Sequence, residues 1–127
     1  MPTEGVGVRL LIVEDDPDIR ESLGELLAAE GFDVSLAENG KIALDHLAGC
    51  DTLPQVILLD LMMPVMSGEQ FRLAQLADER YAKIPVVIMS AARELTQTGE
   101  RLRVAAVLKK PLGIEPLVES LRRAALP

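Results

Sequence analysis

Val56-Ile57-Leu58-Leu59-Asp60-Leu61-Met62-Met63-Pro64 runs four apolar residues into an acid and then breaks at proline. An apolar run this short, with no polar residue at alternate positions, predicts a strand buried on both faces. The pattern recurs. Arg9 to Val13 is a short run that stops at Glu14-Asp15, and Val34 to Ala37 is another. Pro85-Val86-Val87-Ile88-Met89 ends at Ser90, and Ala105 to Leu108 ends at Lys109-Lys110-Pro111. Helical signals fill the gaps. Asp16-Pro17 opens a helix whose inner stripe is expected to be Ile19, Leu23, Leu26 and Leu27, closed by Gly31. Asn39-Gly40 opens a second helix with Ile42, Ala43, Leu44 and Leu47, and Gly68 a third with Phe71, Leu73, Ala74 and Leu76. A fourth, Glu94 to Arg103, is weakened by Thr96, Thr98 and Gly99. Pro116 starts a fifth with Leu117, Val118 and Leu121 inside. Five strands alternating with five helices predict an α/β fold, doubly wound, with a parallel sheet covered on both faces.

The 127 residues suit one domain, with a core expected over about 8–126 and no linker, repeat or low-complexity stretch. Apolar residues make up 49% and aromatics only 2%, so Leu, Val, Ile, Ala and Met must build the core. Cys50 is the single cysteine, which fits a reducing, cytoplasmic setting. The apolar runs are too short to span a bilayer, and Met1 to Val8 does not read as a secretory signal. The net charge of −7 argues against direct nucleic-acid binding, whose affinity rests on neutralising phosphates. That charge is uneven: residues 1–60 hold three basic and thirteen acidic side chains, and residues 61–127 ten basic and seven acidic. Charge runs are usually solvated faces, but this one begins where a strand ends.

In parallel sheets, ligands sit beyond the carboxyl ends of the strands. Glu14-Asp15, Asp60, Ser90 and Lys110 all fall there. Carboxylates gathered at a rim repel unless a cation joins them, and hard oxygen ligands suit Mg²⁺. An aspartate beside a metal, a hydroxyl and an ammonium can attack phosphorus to give an acyl phosphate. Asp16 reads better as the helix cap than as a ligand. His46 lies mid-helix away from the acids and reads as a surface residue, Cys50 as a spectator thiol, and Met62, Met63 and Met66 as packing.

Glu14-Asp15-Asp16-Pro17, Leu58 through Pro64 to Ser67-Gly68, Met89-Ser90-Ala91 and Lys110-Pro111, in that order and each at a strand end, resemble the receiver domains of bacterial two-component response regulators. The resemblance covers about Val8 to Leu126. It implies a flavodoxin-like sheet of strand order 2-1-3-4-5. It makes Asp60 the phosphoacceptor and Mg²⁺ the cofactor, bound by Asp15, Asp60 and the Met62 backbone carbonyl, with Glu14 acting through water. Ser90 and Lys110 would bind the phosphoryl group, with Ala91 small enough to admit it and Pro111 as the cis-proline. Met62 and Ala92 stand where receiver domains tune hydrolysis. The implied partners are a sensor histidine kinase or phosphotransfer protein, a downstream protein target and, as one option, a second copy of the chain. The implied protein is a phosphoacceptor that assists its own phosphorylation and dephosphorylation, not an enzyme acting on a separate substrate. Val107 departs from the family, which often has Tyr or Phe there. It keeps open a phosphorylation-independent scaffold, and it turns attention to the weak helix at Glu94 to Arg103 as the signalling element. An aspartate-nucleophile phosphatase of the haloacid dehalogenase type would need a second acid two residues after Asp60, where Met62 stands.

Overall fold

The computed structural model describes residues 7–61, 66–90, 102–109 and 113–126. Along the chain lie β1 (Arg9–Val13), α1 (Pro17–Ala29), β2 (Asp33–Ala37), α2 (Gly40–Gly49), β3 (Val56–Asp60), α3 (Gly68–Leu76), β4 (Val86–Ser90), β5 (Ala106–Lys109) and α4 (Ile114–Ala124). The five strands form one parallel sheet in the order β2-β1-β3-β4-β5. Four helices, rather than the expected five, lie among the described residues. The missing one, Glu94 to Arg103, falls outside them except for a helical Leu102 and a turn at Arg103.

Alternate residues of the inner strands feed two separate cores. Leu11, Val13, Ile57, Leu59, Val86 and Ile88 face α2 and α3 with Ala43, Leu47 and Phe71. Leu10, Ile12, Val56, Leu58, Val87 and Met89 face α1 and α4 with Leu27, Leu117, Val118 and Leu121. Every residue of β3 is buried, so the strand has no solvent face and needs a layer on each side. Among the described residues no helix is long and apolar enough to cross a membrane.

The helix ends follow local chemistry. Asp16 caps α1, its carboxylate accepting from the backbone N–H of Asp18 at 2.9 Å and Ile19 at 3.2 Å. Gly31 follows the last turn at φ +100°, where a side chain would be strained. Asn39 caps α2, and Ser67 with Gln70 forms a reciprocal capping box on α3.

Three of the expected inner stripes are only partly buried. On α1, Leu27 is buried and Leu23 partly so, but Ile19 is 39% and Leu26 51% exposed. The buried face instead includes Gly24, which leaves room for Leu36 of β2: a Cβ there would lie 3.3 Å from the Leu36 side chain. Gly24 thus faces β2, and Ile19 and Leu26 lie on the flank of the helix. On α2, Ile42 is likewise only partly covered. On α3, Leu73 is exposed, while Arg72 and Gln75 are buried beside Phe71.

That buried polar pair is hydrogen-bonded. Arg72 donates through Nε to the Leu102 carbonyl at 3.0 Å and through Nη2 to the Arg103 carbonyl at 2.8 Å. Its Nη1 donates to Gln75 Oε1 at 2.8 Å and, at 3.4 Å, to the Ile84 carbonyl. Gln75 Nε2 in turn donates to the carbonyls of Tyr81 at 2.8 Å and Ile84 at 3.0 Å. Burial lowers the Arg72 pKa, although a guanidinium stays charged. Beside this network the buried Tyr81 ring lies under the Arg80 guanidinium, 4.8 Å from its centroid.

The uneven burial of α1 has a thermodynamic signature. Leu27→Ala should cost about 2–5 kcal/mol in urea unfolding, and Leu26→Ala should stay within about 0.5 kcal/mol of wild type. A second constraint lies at the start of α3. A Cβ on Gly68 would sit 2.4 Å from the Asp60 carbonyl oxygen and 2.7 Å from Leu61 Cα, both backbone atoms. Gly68→Ala should therefore cost about 1–3 kcal/mol by the same measurement, as overpacking at a rigid contact does.

Candidate functional site

β1 and β3 are neighbours, with Val13 paired to Leu59, so the residues just beyond them meet at one rim. β2 lies on the far side of β1, and the chain returns past β1 to form β3, which makes this rim the topological switch point of the sheet. One carboxylate oxygen from each of Glu14, Asp15 and Asp60 lies within 4.8 Å of the others. Glu14 and Asp60 are buried and Asp15 is half-buried.

Several local contacts fix this arrangement. Glu14 extends the β1–β2 ladder, donating its backbone N–H to the Ala37 carbonyl at 3.1 Å. Its side chain accepts from the Asp16 backbone N–H at 3.2 Å, which bends the chain into α1. The N-terminus of α1 follows at once, and its dipole favours negative charge at this rim. Arg20, on the second turn of α1, donates to the carbonyls of Glu14 at 3.0 Å and Asp15 at 3.3 Å. It thereby ties the acidic turn to the helix through the backbone and leaves the carboxylates facing the rim. On the other side, the Gly68 N–H donates to the Leu61 carbonyl at 3.0 Å, and α3 starts directly against the end of β3.

Like charges about 4 Å apart repel by roughly 4 kcal/mol at an effective dielectric near 20. A cluster of this kind is therefore held together by cations and hydrogen-bond donors. The donor set, hard carboxylate oxygens from three residues with one of them half-open to solvent, fits a small hard divalent ion such as Mg²⁺.

The remaining expected residues divide in two. Ser90 closes β4, pairing with Lys109 of β5, so the strand brings it to the same end of the sheet as Asp60. Met62, Ala91, Ala92, Lys110 and Pro111 lie outside the described residues. Asp16 is the helix cap, as its position suggested. His46, in the last turn of α2, lines a cavity with Arg9, Asp33 and Cys50 toward the opposite end of the sheet from the acids. Met66 is partly buried on the core, against Gly40. Lys109 is exposed, and Val107 packs on the core formed with α2 and α3.

Sequence reading passed over Arg20 and Gly68 as working parts of this rim. The signal for Arg20 was a cation within the second turn of a helix, against the dipole and next to five acids. For Gly68 it was a glycine directly after a capping serine, where any good helix former would serve unless space is short.

The sequence profile of the Response regulator receiver domain matches residues 10–122. Response regulator MprA of Mycolicibacterium vanbaalenii is 33% identical over 119 residues, covering 91% of this chain and 49% of the relative. Regulatory protein AtoC of Escherichia coli is 34% identical over 118 residues, covering 91% of this chain and 25% of that protein. The chain thus spans about half or less of the length of these relatives. Among solved structures, chemotaxis protein CheY4 of Vibrio cholerae superposes with a TM-score of 0.84 at 28% identity, covering 93% of this chain and 98% of that one. Response regulator TrrA of Thermotoga maritima, solved in complex with Mg(2+)-BeF, gives 0.79 at 26% identity over 91% and 97% of the two chains. Matched along nearly its whole length by the profile and by relatives above 30% identity, the chain belongs to the response regulator receiver domain family.

Proposed function

We propose that the chain is a phosphorylation switch with Asp60 as its phosphoacceptor. The observation that carries this reading is the convergence of Asp60 with Glu14 and Asp15 at the ends of two adjacent strands, in a chain of the receiver family. An Asp60 oxygen attacks the phosphorus of a phosphohistidine on a sensor kinase or phosphotransfer protein. The P–N bond breaks, its electron pair returns to the imidazole, and an aspartyl phosphate forms. Asp15, Asp60 and the Met62 backbone carbonyl, with Glu14 through a water, would hold Mg²⁺, which when bound would neutralise charge on the carboxylates and the phosphoryl oxygens. The Ser90 hydroxyl and the Lys110 ammonium take the remaining phosphoryl oxygens, with Ala91 small enough to admit the group. Met62 and Ala92 carry no group that orients water, so they set a slow hydrolysis. The changed surface is read by a downstream protein target or by a second copy of the chain in the cytoplasm, with no direct nucleic-acid contact. Arg20 and Gly68 hold the backbone that presents the acids and act through it.

Incubation with acetyl phosphate and Mg²⁺ followed by intact mass should show one phosphoryl adduct on wild type and none on Asp60→Asn. An unmodified wild type would instead favour the scaffold reading. Asp15→Ala should weaken Mg²⁺ binding by about tenfold or more in calorimetry, since about 1.4 kcal/mol suffices. Its phosphorylation at limiting Mg²⁺ should slow in parallel, whereas a wild-type rate there would remove Asp15 from the metal site.

A further inference from the structure

We propose that a cavity at the opposite end of the sheet from Asp60 is an oxyanion-binding site. It takes a small organic anion with a phosphate or carboxylate head and a short apolar body. The cavity, of about 540 Å³, lies between the end of α3 and the entries to β4 and β5. That volume is within the range of small-molecule sites. Its walls are largely apolar, with Leu76, Ile84 and Val104 among them, and its charged residues are Arg72, Lys83 and Arg103. No acid lines it. In a chain of net charge −7 this is not the background pattern. The cavity along α4 sets Glu30, Glu115 and Glu119 against Arg122 and Arg123, and the one beside His46 sets Asp33 and Asp51 against Arg9.

Arg72 is the centre of the argument. Its side chain is 4% exposed, yet all four of its acceptors are neutral: three backbone carbonyls and the Gln75 amide oxygen. Carbonyl dipoles satisfy N–H groups without cancelling a positive charge, and a buried charge without a counter-ion is unfavourable. A guanidinium has five N–H groups, and these bonds use four. The fifth is on Nη2, whose bond to Arg103 is part-buried where the bonds from Nε and Nη1 are buried. The open donor is on the outer edge of the group.

Two further cations converge there. Lys83 and Arg103 are exposed and make no ion pair among the described residues. Asp78, an acid just past α3, is engaged by Arg80 through bonds of 3.1 and 2.8 Å. Arg103 also has φ +55°, alone among the described non-glycine residues with a positive φ. A strained backbone at a bulky residue persists where the surroundings hold it, and here the holder is Arg72, bonded to the Arg103 carbonyl. One bond therefore ties the Arg72 guanidinium to the Arg103 backbone at the cavity. An oxyanion in the cavity supplies the missing charge, and its apolar body meets the aliphatic walls.

The test uses phenylphosphonate, which carries no transferable phosphoryl group, and benzoate, each titrated without Mg²⁺ and with chelator. Both are followed by ¹⁵N NMR. The expected result is a saturable shift of the Arg72 Nε–Hε resonance and of the Lys83, Arg103 and Ala105 amides. The dissociation constant should be millimolar, as suits a ligand of few atoms. Tighter phosphonate binding identifies a phosphate-type ligand, and tighter benzoate binding a carboxylate-type one. Lys83→Gln with Arg103→Gly should weaken binding about tenfold or more, glycine being free to keep the positive φ. The same double variant should accept phosphoryl groups from acetyl phosphate at the wild-type rate. No saturable shift with either probe, or a shift the double variant leaves unchanged, would overturn the proposal.

Discussion

The placement of β3 between β1 and β4, with both faces covered, is the constraint on which the rest depends. A strand of Val, Ile and Leu with no solvent face requires helices above and below, and parallel neighbours require crossovers to supply them. The one polar residue of that strand is its last, Asp60, buried where the strand ends. Because β1 is the adjacent strand and ends in step with it, Glu14 and Asp15 arrive at the same rim. The acidic cluster is thus a consequence of strand order and register. Arg20 and Gly68 refine it, one by tying down the turn after β1 and the other by letting α3 start against the end of β3.

Much of this was legible before any coordinates. The strands, built from continuous apolar runs with abrupt polar ends, fall within about a residue of where the sequence puts them, and the resemblance supplied their order. Glu14, Asp15 and Asp60 were visible because acids rarely close an apolar strand without a purpose. The helices were harder. Their apolar stripes tell that a face is buried but not how far the helix is rolled, and at α1 the buried face includes Gly24, which no apolar stripe would name. At α3 the stripe misled because Arg72 and Gln75 read as surface residues. Their burial is made tolerable by their own mutual bond and by the carbonyls of Tyr81, Ile84, Leu102 and Arg103, all outside the helix.

The chain's uneven charge acquires a spatial meaning in the fold. The acid-rich first half supplies the rim at the carboxyl ends of the strands, and the base-rich second half supplies Arg72, Lys83 and Arg103 near the amino ends of β4 and β5. β4 and β5 thus begin beside a group of cations, while the carboxyl ends of β1 and β3 carry the acids. α3 begins against Asp60, carries Arg72 at its middle and ends at Leu76, which also lines the cationic cavity.

The near absence of aromatic residues decides how this protein can be watched. It has no tryptophan and a single tyrosine, Tyr81, which lies buried under Arg80 and beside the Gln75 amide. Intrinsic ultraviolet emission therefore comes from one chromophore, seated away from the acidic rim and next to the cationic end. With Arg80 and the Gln75 amide as its neighbours, that ring's emission tracks global unfolding and events around α3. A reporter for the switch has to be placed at the rim by design, and the dark background makes a single introduced tryptophan there unusually easy to read.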